Sequence, residues 1–212
     1  MTAILAAMPY LAGPAMAGSG DGRPAFDFYV LSLSWSPSHC AAEGEDANPR
    51  QCKSSRPYGF IVHGLWPQFE KGYPEFCASN EPDRVPERLA RAYLDLMPSP
   101  GLIGHQWRKH GTCTGLGQQE YLDLVRRARE RVAIPKEFSR LAQPLTMPPE
   151  AVEERFIRAN PRLPAEGVAV TCDRRRLREV RICLTTDLRF RSCPEVDRDA
   201  CNRHEVLIPP VR

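Results

Sequence analysis

Between Gly104 and Cys113 the chain places two imidazoles, an amide, an indole and two cations in consecutive order: His105, Gln106, Trp107, Arg108, Lys109 and His110. Imidazoles exchange protons near neutral pH, and an ammonium beside them can offset negative charge that develops on a substrate. Ser99-Pro100 has the form of an N-cap followed by a first-turn proline, and Gly111 that of a residue just past a helix end, so a helix is predicted over residues 101–110. Helical spacing then puts Gln106 and His110 one turn apart on one face, with His105 and Lys109 in the neighbouring row. A reacting centre facing this helix meets an acid or base, a charge clamp and a hydrogen-bonding amide. It still lacks a second proton-transfer group on its other side.

That second group is expected in Phe60-Ile61-Val62-His63-Gly64-Leu65-Trp66-Pro67-Gln68. Tyr58 to Val62 reads as a strand that delivers His63 at its end, with Gly64 giving a tight exit. Taken alone, the segment is equally a histidine satisfied at a sheet edge beside a core tryptophan. Paired with the first cluster it becomes more informative, because two imidazoles flanking one phosphoryl or acyl centre, with Lys109 near, describe general acid/base catalysis with electrostatic stabilisation. A metal site built from His63, His105, His110 and Cys113 is the chemical rival. His105 and His110 are five positions apart, about 140° around a helix, whereas a shared zinc favours a spacing of four. No metal and no cofactor are therefore expected.

These residues need a scaffold, and 212 residues suffice for one well-filled core. The 29 Lys and Arg against 26 Asp and Glu leave a net charge of +3, which permits a polyanionic substrate without requiring one. Eight cysteines with no Cys-x-x-Cys pair read as disulfides formed in an oxidising compartment, periplasmic or extracellular. Residues 1–17 are uncharged and end in Ala15-Met16-Ala17, the small-x-small form of a signal-peptidase site. They are read as a signal peptide, residues 18–24 as a tether, and residues 25–212 as the catalytic domain. No other apolar run approaches membrane length, so no membrane association is expected after processing. The domain is expected to act as a monomer.

The alternation from Phe26 to Trp35 predicts a central strand covered on both sides. Residues 36–57, rich in Pro, Gly and acidic residues, are predicted to be a loop pinned by a local bridge, and residues 64–80 an ordered loop. Helical spacing is predicted over Pro86–Met97, Gln118–Val132 and Pro149–Ala159. Short strands are predicted at Val168–Cys172, Leu177–Leu184, Leu188–Arg191 and Val206–Ile208. Strands at both ends of a helical middle indicate an α+β domain, a central antiparallel sheet packed against several helices and stapled by disulfides. His39, His204, Arg174 to Arg176 and the Arg126 to Arg131 run are read as solvated surface.

His63-Gly64-Leu65-Trp66-Pro67 and His105 through Cys113 resemble the two active-site signatures of the ribonuclease T2 family, secreted endoribonucleases with little base specificity. Further similarity lies in Phe26-Asp27-Phe28-Tyr29 with Trp35 and Cys40, in Val180 to Leu184, and in Phe190 to Cys193; it covers residues 25–201. The resemblance implies cleavage of single-stranded RNA to 2′,3′-cyclic phosphate ends, followed by slower hydrolysis and without a metal. It implies that His110 is the general base, His63 the general acid and Lys109 the group that stabilises the phosphorane. His105 would hold a phosphate oxygen, Trp66 and Tyr73 would be base-stacking walls, and Gln68 would stand where some members read the base. Many members carry Glu where this chain has Gln106, so proton transfer is assigned to the two histidines, with Gln106 an uncharged member of the catalytic group. Of the 105 pairings that eight cysteines allow, the family favours Cys77–Cys113, Cys172–Cys201 and Cys183–Cys193, leaving Cys40–Cys52. The rival class is a non-catalytic RNA-binding or interaction protein on the same scaffold, which typically loses a histidine.

Overall fold

A computed structural model describes residues 26–211; the expected signal peptide and tether lie outside the described residues. Phe28–Trp35 (β1) is buried along nearly all its length and forms the middle of a four-stranded sheet. Its neighbours are Phe60–Gln68 (β2) on one side and Leu177–Leu184 (β5) on the other, with Val168–Cys172 (β4) beyond β5, all antiparallel. The strand's alternation sends its residues to two environments. Tyr29, Leu31, Leu33 and Trp35 enter the main core, whereas Phe28 and Val30 belong to a smaller cluster with Cys183 and Cys193, against which Trp66 packs. The second face of the sheet therefore carries less cover, and there a cleft can open.

The helices cover the first face. Pro100–Lys109 (α4) starts where expected, with Ser99 Oγ accepting from the Leu102 amide at 3.2 Å and Pro100 in the first turn. Gln118–Glu130 (α5) and Pro149–Ala159 (α7) bury Tyr121, Leu122, Val125, Val152 and Phe156. Trp35, Phe60, Phe138 and Phe156 interlock edge to face, with Trp35 and Phe60 centroids 4.8 Å apart. Among the described residues, no helix is long and apolar enough to cross a membrane.

Several elements differ from expectation. Residues 36–57 are not a loop but two short helices, Ser36–Glu43 (α1) and Pro49–Cys52 (α2), joined through the 3₁₀ turn Gly44–Asp46. Pro37 and Pro49 sit in first helical turns, where their missing N–H costs nothing. The Pro86–Met97 helix is regular only over Glu87–Arg91 (α3), because from Ala92 the bonds tighten to three-residue turns such as Leu96 N to Tyr93 O. Leu188–Arg191 is a turn carrying one isolated bridge, with Leu188 at φ 63° and Thr185 Oγ1 accepting from the Arg189 amide. The sequence reading also missed Lys136–Ser139 (α6), Pro194–Arg198 (α8) and Leu145–Met147 (β3), which pairs with Val206–Ile208 (β6). The four disulfides are Cys77–Cys113, Cys172–Cys201 and Cys183–Cys193, the three that the family resemblance implies, and the remaining pair Cys40–Cys52.

Candidate active site

β2 does not end at Val62 but runs on to Gln68, and His63 lies within it rather than at its mouth. Against β1, Gly64 pairs with Ser32 and Val62 with Leu33, so His63 is the extra residue of a β-bulge. A bulge bends the strand and re-aims one side chain, and here that side chain is the imidazole. Further along β2 come Trp66 and Gln68, while α4 supplies His105, Gln106 and Lys109 and is capped by His110. One cleft brings together all eight of the expected residues: His63, Trp66, Gln68, Tyr73, His105, Gln106, Lys109 and His110. Phe28 and Val30 of β1 line the same cleft.

Trp66 packs against both histidines. Its ring is edge-on to His63 at 5.3 Å and stacked with His110 at 5.4 Å, and the Arg181 guanidinium lies over it at 5.4 Å. Trp66 Nε1 donates to the Gln106 carbonyl oxygen at 2.7 Å, and Gln106 is 1% exposed. A Cβ at Gly64 would overlap both Gln106 Oε1 and Trp66 Nε1, so only glycine leaves room for this bond. Gln106 thus fixes the plane of the indole against His110. Gln106→Ala is expected to lower kcat/KM for RNA by about 10-fold, or about 1.4 kcal/mol, and Gln106→Glu, which keeps an acceptor, by less. Steady-state assays of both variants check this; a loss for Gln106→Ala as large as that for His110→Ala contradicts it.

His110 is the more enclosed of the two histidines. His110 is 5% exposed, and its Nδ1 makes no hydrogen bond among the described residues. Burial first, and then the charges of Lys109, His105 and His63, push its pKa down to about 3. His105 is more open and is also lowered, by its partial burial and then by Lys109 and Arg108. Lys109 Nζ lies 3.2 Å from Glu75 and 5.8 Å from the Tyr73 ring centroid. The Gln68 amide nitrogen donates to the Pro67 carbonyl at 3.0 Å, which leaves its side-chain oxygen as an acceptor.

Two charged residues of β5 were missed by the sequence reading. Glu179 is hydrogen-bonded to His63 Nδ1, and its other oxygen accepts from Arg181 Nε and Nη2 at 3.2 and 3.1 Å. A signal for them existed: Val180, Ile182 and Leu184 are apolar and buried, so Glu179 and Arg181 share the other face, the one that also carries Phe28 and Val30. Across the cleft, α8 contributes Glu195, which accepts from the Gly72 amide at 3.0 Å.

An α+β domain that gathers two imidazoles and an ammonium in one aromatic-walled cleft holds the groups that acid/base chemistry on an anionic substrate requires. The Ribonuclease T2 family profile matches residues 26–193, and the chain belongs to this family; RNA cleavage is the activity that membership carries. A ribonuclease of Aeromonas hydrophila is 35% identical over 177 residues, covering 76% of this chain and 73% of the relative. Among solved structures, an RNase-related protein from Calystegia sepium superposes with a TM-score of 0.70 at 20% identity, covering 88% of this chain and 98% of that one. RNase NT in complex with 5′-AMP superposes with a TM-score of 0.60 at 19% identity, covering 87% and 98%. At such identities the two structures support the fold alone.

Proposed function

We propose that the protein is a metal-independent endoribonuclease that cuts single-stranded RNA by transphosphorylation, with little base specificity. The observation that carries this reading is the placement of His63 and His110 about one indole, with Lys109 and His105 in the same cleft. His63 Nδ1 is engaged by Glu179 and His110 Nδ1 is buried, so each ring has Nε2 left for chemistry. His110 takes the proton from the ribose 2′-hydroxyl, and the 2′-oxygen attacks phosphorus. The bond from phosphorus to the 5′-oxygen breaks as His63 gives that oxygen a proton, leaving a 2′,3′-cyclic phosphate. In the slower second step the roles reverse: water attacks phosphorus as it gives a proton to His63, the bond from phosphorus to the 2′-oxygen breaks, and His110 reprotonates that oxygen. Lys109 stabilises the crowded phosphorane and His105 holds a phosphate oxygen. DNA lacks the attacking hydroxyl and is not a substrate.

Base tolerance follows from the aromatic lining, since every base offers a π-face to Tyr73 and to the exposed Phe69. A nucleotide occupies the solved structure of RNase NT, a structural neighbour. We further propose export to the periplasm or beyond, where the four disulfides persist, and action as a monomer. Oxidised protein incubated with RNA in EDTA should yield fragments ending in 2′,3′-cyclic phosphate, detected by mass spectrometry. A requirement for a divalent cation, or 3′-hydroxyl ends, would count against the mechanism.

A further inference from the structure

We propose that Glu179 is a positioning residue for the reaction, holding the His63 ring so that Nε2 faces the leaving 5′-oxygen it protonates. The inference rests on the reading of His63 as general acid. Because His63 is the bulged residue of β2, the ladder with β1 does not fix it, and its ring is anchored by side chains instead. The anchor comes from two strands away. Ser34 of β1 pairs with Glu179 on one side and, on the other, with Ile61, two positions before the bulged His63. Ser34, His63 and Glu179 line one recess, and its short side chain lets Glu179 reach His63 Nδ1.

The Glu179 side chain is 13% exposed. Burial favours its neutral form, but the hydrogen bond and charge of His63, together with Arg181, outweigh this and keep the carboxyl ionised well below the usual range. An ionised carboxylate on Nδ1 keeps a proton on that nitrogen, which turns Nε2 toward the cleft as the reacting atom. Nε2 is then the atom that gives its proton to the 5′-oxygen as the bond to phosphorus breaks. Glu179 is the one carboxylate bonded to the ring among the described residues. Arg181 occupies its second oxygen and steers the first toward His63.

A residue that acts through the general acid matters only when the leaving group needs a proton. Turnover is therefore compared on a dinucleoside phosphate, whose alkoxide must be protonated, and on a nucleoside 3′-(4-nitrophenyl phosphate), whose phenolate departs unaided. For Glu179→Ala, kcat on the dinucleotide should fall about 100-fold with KM within about 3-fold, while kcat on the aryl ester falls less than about 5-fold. Glu179→Gln keeps an acceptor for Nδ1 and loses the charge, so about a 10-fold loss on the dinucleotide is expected. His63→Ala calibrates how far the ratio of the two activities moves when the acid is removed. Equal losses on both substrates, or no loss, overturn the role of Glu179. If wild-type protein cleaves neither substrate, or His63→Ala leaves the ratio unmoved, the reading of His63 itself fails instead.

Discussion

Replacing His110 by alanine is expected to lower kcat/KM for RNA by about 1,000-fold or more, about 4 kcal/mol of barrier. His63 and His110 both pack against the Trp66 indole, and Gln106, bonded to Trp66, carries no proton to lend. The same depth of loss is expected for His63→Ala on RNA. The pH profile makes the assignment specific. With its pKa pushed down to about 3 by burial and three positive neighbours, His110 is neutral and ready to accept a proton well into the acid range. The acid limb of kcat/KM, which reports the free enzyme, should therefore lie near pH 3 to 4, far below the 6.5 of an unperturbed histidine. A bound phosphodiester offsets Lys109 and His105, which raises the pKa of His110, so the acid limb of kcat should sit at higher pH than that of kcat/KM. Both limbs are read from steady-state rates between pH 3 and 8. An acid limb of kcat/KM near 6.5, or a His110→Ala variant that keeps a tenth of wild-type activity, removes His110 from the role of base.

The eight site residues were legible because they lie in two short runs, one on β2 with its following loop and one on α4, where type and spacing are local facts. The same holds for α7, β4, β5 and β6, whose bounds follow the residues the core buries, such as Val152 and Phe156, or Val180, Ile182 and Leu184. The bulge at His63 is different in kind. It exists only as a mismatch between β1 and β2, and neither strand alone shows it. The alternation of β5 shows which face Glu179 takes, but its link to His63 spans 116 positions and forms only across β1. Residues 36–57 misled because their composition favours turns, while the two first-turn prolines and the Cys40–Cys52 bridge stabilise helices too short to show a period. Trp66, expected as a wall for a base, also packs against both His63 and His110.

Removing the Cys77–Cys113 bridge by a double serine substitution is expected to cost about 4 kcal/mol of stability and to raise KM more than it lowers kcat. The bridge closes a loop of 36 positions, and loop-closure entropy sets that magnitude. It also ties the segment carrying Tyr73 and Glu75 to the turn that follows His110. The Phe76 amide donates to the Lys109 carbonyl at 2.9 Å, and Phe76 holds φ 49°, a conformation that a non-glycine residue keeps only where its surroundings impose it. Without the bridge this segment relaxes, Lys109 loses Glu75 and the cleft loses Tyr73, whereas His110 keeps its stacking on Trp66. The expected signature is a fall in Tm of roughly 10 °C with KM for a dinucleotide raised about 5- to 10-fold. Removing Cys40–Cys52, which closes only 12 positions on α1 and α2, should cost about 3 kcal/mol and leave KM unchanged. Calorimetry and initial rates on the two variants decide it. Equal KM shifts in both, or none in the Cys77–Cys113 variant, would reduce this bridge to a staple with no part in holding the substrate.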